Sequence, residues 1–87
     1  MPYIKKEDRD KFWHNGTCLL DMALLCETPG DLNYAITIMI HEYIFRHGQS
    51  YSTYNEAMGI LECAKMELYR KHIAPYEEEK IKENGDL

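Results

Sequence analysis

Polar and apolar positions along this chain repeat with a helical period, and no stretch alternates with the period of two that marks a strand. The pattern is clearest from Ser52 to Lys82, where Ala57, Ile60, Leu61, Ala64 and Leu68 recur at spacings of three and four and so share one side of an α-helix. Glu56, Glu62, Lys65, Glu67, Arg70 and Lys71 take the other side. Thr53 and Glu56 stand in the S/T-x-x-E arrangement, in which a hydroxyl accepts from the third amide while the carboxylate reaches back, so the helix is expected to start there. Ala57, Gly59 and Ala64 are small enough to let another helix approach. Pro75 lacks an amide hydrogen and disfavours an α conformation at Ala74, which predicts a kink or a fresh start and then a last segment through Lys82. Glu77, Glu78 and Glu79 suit the N-terminal end of that segment, and Asn84-Gly85 ends it.

Upstream, Leu32, Ala35, Ile36, Met39, Ile40 and Tyr43 form a second helical stripe, widened by Ile38 and Ile44. Asp31 is its expected N-cap after the loop Thr28-Pro29-Gly30-Asp31, and Arg46, His47 and Gly48 form its C-terminal end. The β-branched run Ile36-Thr37-Ile38-Met39-Ile40 lies inside this helix despite its strand-like composition. A first helix, capped by Asn15 or Thr17, is expected to run to about Glu27 and is apolar on most of its circumference. So little polar surface implies cover on more than one side, and in a short chain that cover is another subunit. Lys5 to Lys11 is almost entirely charged and reads as an arm, residues 1–11, or a solvated first helix turn, whose Phe12-Trp13 end docks on the body. Residues 83–87 are expected to fray. The fold expected is all-α: a single domain of three antiparallel helices with a Pro-kinked C-terminal helix, oligomeric.

Composition narrows the function. At 87 residues and 45% hydrophobic, with only two Phe and one Trp, the core must come from Leu, Ile, Met and Tyr, and oligomerisation would supplement it. A formal charge of −5 argues against general nucleic-acid binding, which rests on neutralising phosphates. The three cysteines, Cys18, Cys26 and Cys63, form no C-x-x-C pair, and their odd number suits a reducing cytoplasm. No secretory signal and no apolar stretch long enough for a bilayer is present, so no membrane partner is expected.

Catalytic signatures are missing. His41-Glu42 opens like H-E-x-x-H, but Phe45 stands where the second zinc ligand belongs. His14, Cys18 and Cys26 are spaced by whole helical turns, yet no further pair completes a zinc shell, and apolar packing of the cysteines explains them better. A magnesium site of the kind found in helical pyrophosphatases needs acidic pairs on two facing helices, and the second helix offers only Glu42. Neither a G-x-S-x-G elbow nor a phosphate-cradling glycine loop occurs. No enzyme, metal or cofactor is expected.

The excess is in tyrosine, seven in all. Tyr commonly serves cores and subunit interfaces. It also serves ligand pockets, where rings stack on a purine and cations meet phosphate. The residues placed in such a pocket are Tyr3, Lys5, Arg9, Asn33, Tyr34, Tyr54, Asn55, Tyr69 and Arg70, with the two Asn side chains suited either to reading a base edge or to satisfying loop amides.

Met-Pro-Tyr-Ile at 1–4, Pro-Gly-Asp-Leu-Asn-Tyr at 29–34, Gly-Ile-Leu-Glu at 59–62, Glu-Leu-Tyr-Arg at 67–70 and Pro-Tyr-Glu-Glu-Glu-Lys to Asn-Gly-Asp at 75–86 carry a resemblance over the full length. Together they resemble a family of small all-helical proteins of bacteriophages and prophages with no assigned chemistry, the departure lying at Trp13 to Cys18. No catalytic residue carries over. If the chain is viral, its size and plan are similar to those of the small oligomeric sponges with which phages sequester cyclic-nucleotide or ADP-ribose-derived alarm signals in the host cytoplasm, a fold-level analogy. That implies a non-catalytic anti-defence protein whose partners are itself and such a signal. The alternatives are an adaptor or inhibitor binding a host protein, using the acidic Tyr76–Glu83 segment, and a small phage structural subunit.

Overall fold

A computed structural model describes residues 2–14 and 18–87. The caps expected at Asn15 and Thr17 lie outside the described residues. The chain is all-α, with no strand among the described residues. Its elements are α1 (Lys6–Arg9), a 3₁₀ turn (Asp10–Phe12), α2 (Leu19–Leu24), α3 (Pro29–His47), α4 (Tyr51–Leu68), a π-helical turn (Tyr69–Ile73) and α5 (Ala74–Asn84). The last three run on without a break, so residues 51–84 form one long C-terminal helix. Contacts divide the chain into one compact unit of residues 3–57 and another built on residues 58–87.

The charged N-terminal segment folds locally. Asp8 donates its amide to the Lys5 carbonyl at 2.9 Å, Glu7 and Asp8 lie in the first turn of α1, and Arg9 donates its Nε to the Ile4 carbonyl at 2.8 Å. The helix expected to reach Glu27 is only six residues long. It tightens at its end, where Leu25 and Cys26 donate to the carbonyls of Met22 and Ala23 three residues back. Thr28 is extended, with φ −125° and ψ 159°, because Pro29 excludes the α region for the residue before it.

Thr28-Pro29-Gly30-Asp31 is the start of α3 rather than a loop before it. Thr28 is the N-cap, its Oγ1 accepting from the Asp31 amide at 3.1 Å. Pro29 takes the first helical position, where a missing donor costs nothing. The Asp31 carboxylate reaches back to accept from the Glu27 amide at 3.1 Å. This is a capping box displaced by one residue, and Asp31 sits inside the helix rather than capping it. At the other end Gly48 has φ +93°, a conformation that side chains disfavour, and Arg46 and His47 occupy the last turn.

The start of α4 also lies earlier than the sequence suggests. Ser50 is the cap: its Oγ accepts from the Thr53 amide at 3.2 Å, and its carbonyl accepts from Tyr54 at 3.0 Å. Thr53 meets the Ser50 hydroxyl at 3.1 Å, taking the place that Glu or Gln fills in a full capping box. Two hydroxyls three residues apart competed for the role, and the earlier one adds nearly a full turn of helix. Glu56 is thereby released to bond elsewhere.

Pro75 does not end the helix. The widened turn over Tyr69–Ile73 absorbs it, the Ala74 amide bonding to the Tyr69 carbonyl five residues back rather than four. A π turn is a common form for such an insertion, since it moves the backbone where the proline ring would otherwise meet the fourth carbonyl back. The helix then continues to Asn84, and Gly85, at φ +87°, donates to the Ile81 carbonyl at 2.8 Å.

Little of the chain is buried. Ala57 at 4% and Thr53 at 5% relative exposure are the only buried residues among those described, and both lie in the first turns of α4.

Candidate functional site

Side chains distant in sequence converge at the α3–α4 turn. Only Gly48, Gln49 and Ser50 separate the two helices, a short hairpin turn that brings the end of α3 to the start of α4. Tyr43 donates its hydroxyl to Glu56 Oε2 at 3.0 Å, tying the last turns of α3 to the first turns of α4. The His47 ring stacks on Tyr43, with centroids 4.1 Å apart and planes 24° from parallel. His47 Nδ1–H donates to the Tyr43 carbonyl at 2.9 Å. The Glu56 carboxylate holds the Tyr43 phenol protonated, first by accepting its hydrogen and then, with partial burial, by disfavouring a second negative charge, so its pKa lies above the ordinary tyrosine value.

A second cluster lies along the C-terminal helix. Tyr69 donates to Glu77 Oε1 at 2.6 Å, and that acceptor and its charge raise the phenol pKa in the same way. Arg70 is forked on Glu67, with NH2 to Oε1 at 2.6 Å and Nε to Oε2 at 3.3 Å. Lys80 lies 5.4 Å from the centroid of the Tyr76 ring and pairs with Glu83 at 3.1 Å. Lys65–Glu62 and Lys82–Glu79, each at 3.4 Å, continue the series.

The nine residues placed in a ligand pocket by their sequence fall in several places. Tyr3 and Lys5 precede α1 and are exposed, while Arg9, half-buried, caps the Ile4 carbonyl. Asn33 and Tyr34 stand together in the first turns of α3, where they line a shallow depression with Pro29, Gly30 and Thr37. Asn33 Oδ1 accepts from Thr37 Oγ1 at 3.3 Å, which occupies one of its groups. Tyr54 and Asn55 lie on the exposed surface of α4. Tyr69 and Arg70 belong to the C-terminal unit and are engaged by Glu77 and Glu67. Within the unit of residues 3–57, Asn33 and Tyr34 share a depression.

Sequence reasoning missed the Tyr43–Glu56 bond and the Tyr69–Glu77 bond. The first was within reach: once Ser50 is taken as the cap, Glu56 is no longer needed at the helix start and faces the preceding helix. Eight residues separate Tyr69 from Glu77, more than two turns, and the spacing becomes favourable only with the π turn between them.

Cys18, Cys26 and Cys63 carry free thiols. Among the described residues no three His, Cys, Asp or Glu side chains gather closely enough to hold a metal ion. No described helix is long and apolar enough to cross a membrane.

A family model matches residues 1–87, the whole sequence. The chain belongs to the family described as Domain of unknown function (DUF6899). No curated protein and no solved structure matches it. The DUF6899 assignment agrees with the resemblance to a family without assigned chemistry, and it carries no viral source with it.

Proposed function

We propose that this DUF6899 domain is a non-catalytic binding protein assembled from copies of itself, and that it sequesters a small nucleotide-derived signal where copies meet. The observation that carries the reading is the placement of apolar side chains. Leu24 and Leu25 are each 70% exposed and Phe45 is 72% exposed, while burial reaches only Ala57 and Thr53. An apolar surface of this extent on a soluble chain favours cover by polypeptide. The finer architecture, antiparallel helices completed by neighbouring copies, is part of the proposal. So are a viral origin and action in the host cytoplasm. Asn33 and Tyr34, beside their depression, are the residues best placed to meet a base, with a cation contributed across the seam.

The test is thermal stability of the purified protein with a panel of cyclic dinucleotides and cyclic ADP-ribose isomers. A rise with one of them, and release of that nucleotide unchanged on heating, is the expected result. No shift across the panel, and no nucleotide released from the protein as isolated, would remove the signal from the proposal.

A second reading, an adaptor or inhibitor of a host protein, draws on a different observation. Tyr69 and Arg70 are already held by carboxylates of their own helix, which takes two of the expected ligand groups away from a nucleotide. A tagged chain that retains one host component through washing, and ignores the nucleotides, would favour this reading.

A further inference from the structure

α3 carries a second apolar stripe that the hairpin does not use. At about 100° per residue, Ile40, Tyr43 and Ile44 cluster on the side from which Tyr43 reaches Glu56. Tyr34, Ile38, His41 and Phe45 fall on the opposite side, at the alternating spacing of four and three that makes a helix–helix seam. Tyr34 is 69%, Ile38 47% and Phe45 72% exposed.

We propose that this outer side of α3 is the seam of a homodimer, in which α3 packs antiparallel on α3 of a second copy about a two-fold axis between Met39 and Ile40. The proposal rests on the reading that the first partner is another copy, and it names the surface. Register supports it. Tyr34 and Phe45 are equally far from that axis in sequence, and so are Ile38 and His41, so the two-fold operation sets Tyr34 opposite Phe45 and Ile38 opposite His41. An isologous interface requires this kind of self-complementarity.

Charge selects the orientation. Asp31 lies in the first turn of α3 and Arg46 and His47 in its last. Antiparallel pairing brings acid to base at both ends of the seam, whereas parallel pairing stacks like on like. Arg46 has no partner within the chain among the described residues, which leaves it available for Asp31 of the copy.

Sedimentation equilibrium of the full chain, wild type beside Phe45→Asp and Ile38→Asp, tests the seam. The wild type is expected to dimerise, and each variant to weaken dimerisation at least about 100-fold while circular dichroism shows the helices retained. His41→Leu, which adds an apolar side chain at the centre, is expected to tighten the dimer about 10-fold, and it keeps the test open if the aspartates unfold the chain. Spin labels at Gln49→Cys, with the native cysteines changed to serine, read the orientation. Antiparallel packing separates them by roughly 30 Å, from 19 residues at 1.5 Å rise plus the helix spacing, and a separation under about 15 Å would overturn it. An oligomer indifferent to all three α3 substitutions would overturn this seam and leave self-association standing. A wild-type monomer, whether its outer face is covered by its own C-terminal unit or by a foreign protein, would overturn both.

Discussion

At the α3–α4 turn, side chains from two helices hold one another across a change of chain direction; from Tyr69 to Asn84, the Tyr69–Glu77, Lys80–Glu83 and Lys82–Glu79 bonds run within a single helix. Tyr43 meets Glu56 thirteen residues away, Thr53 and Ala57 are buried in the same first turns of α4, and Ser50 caps that helix. Along residues 58–84 the bonds include Glu67–Arg70, Tyr69–Glu77, Glu79–Lys82 and Lys80–Glu83, and no residue of that stretch is buried. The hairpin end therefore depends on packing that one substitution can spoil. The C-terminal helix depends on many small local terms, and losing any one of them costs little.

The sharpest way to break the contrast is at Ala57. Ala57 is only 4% exposed, so Leu in its place overfills the site and should cost about 1–3 kcal/mol, read by urea denaturation, while Met58→Leu, on the exposed neighbour, should leave the midpoint in place. Equal effects at the two positions would mean that the hairpin is not packed as described. Next in size is the cap. Ser50→Ala should cost about 1 kcal/mol in the same measurement, and Thr53→Val should cost less because the amide of residue 53 keeps its acceptor. A larger loss at Thr53 would return the helix start to the later hydroxyl.

Alkaline titration compares the two tyrosine bonds directly. Both phenols have pKa values raised by the carboxylates that accept their hydrogens. Their bonds therefore contribute stability below the ordinary tyrosine pKa of about 10, and that contribution is lost as pH rises through the higher folded-state values. Following phenolate absorbance, two of the seven tyrosines should ionise late. Glu56→Gln should return Tyr43 to the main transition, with a fall in hairpin stability, whereas Glu77→Gln should release Tyr69 with little change in melting. A single transition for all seven would contradict both bonds. Smallest of all are the surface pairs: Lys82→Ala or Lys80→Ala should change stability by only ~0.2–0.5 kcal/mol, and added salt should erase the difference.

Much of this architecture was legible because it is local. Apolar spacing located α3 and the long C-terminal helix, and the strand-like Ile36–Ile40 run was resolved correctly as helix by the signals that flank it. The starts were misplaced where two residues of similar chemistry compete. Thr28 and Asp31 both suit an N-cap, as do Ser50 and Thr53, and the choice depends on which hydroxyl the folded backbone presents to an amide. The trouble at Pro75 was foreseeable from its missing donor. Its form as a π turn was not, because a kink, a break and a wide turn all answer the same local problem. The early end of α2 at Leu24 lies before the reach of Pro29, whose restraint acts on Thr28 alone, and apolar periodicity does not mark it. The ligand residues were the least legible. Tyr69 and Arg70 look like free recognition groups in the sequence, and their engagement by Glu77 and Glu67 is a matter of side-chain geometry along one helix.

The central claim is that the exposed apolar side chains of this chain are covered by another copy of it, so that folding and association are linked. Thermal unfolding followed by circular dichroism over a hundredfold range of protein concentration tests it most directly. Linked folding predicts a melting temperature that climbs steadily with concentration. One cooperative transition at the same temperature throughout that range would contradict the claim.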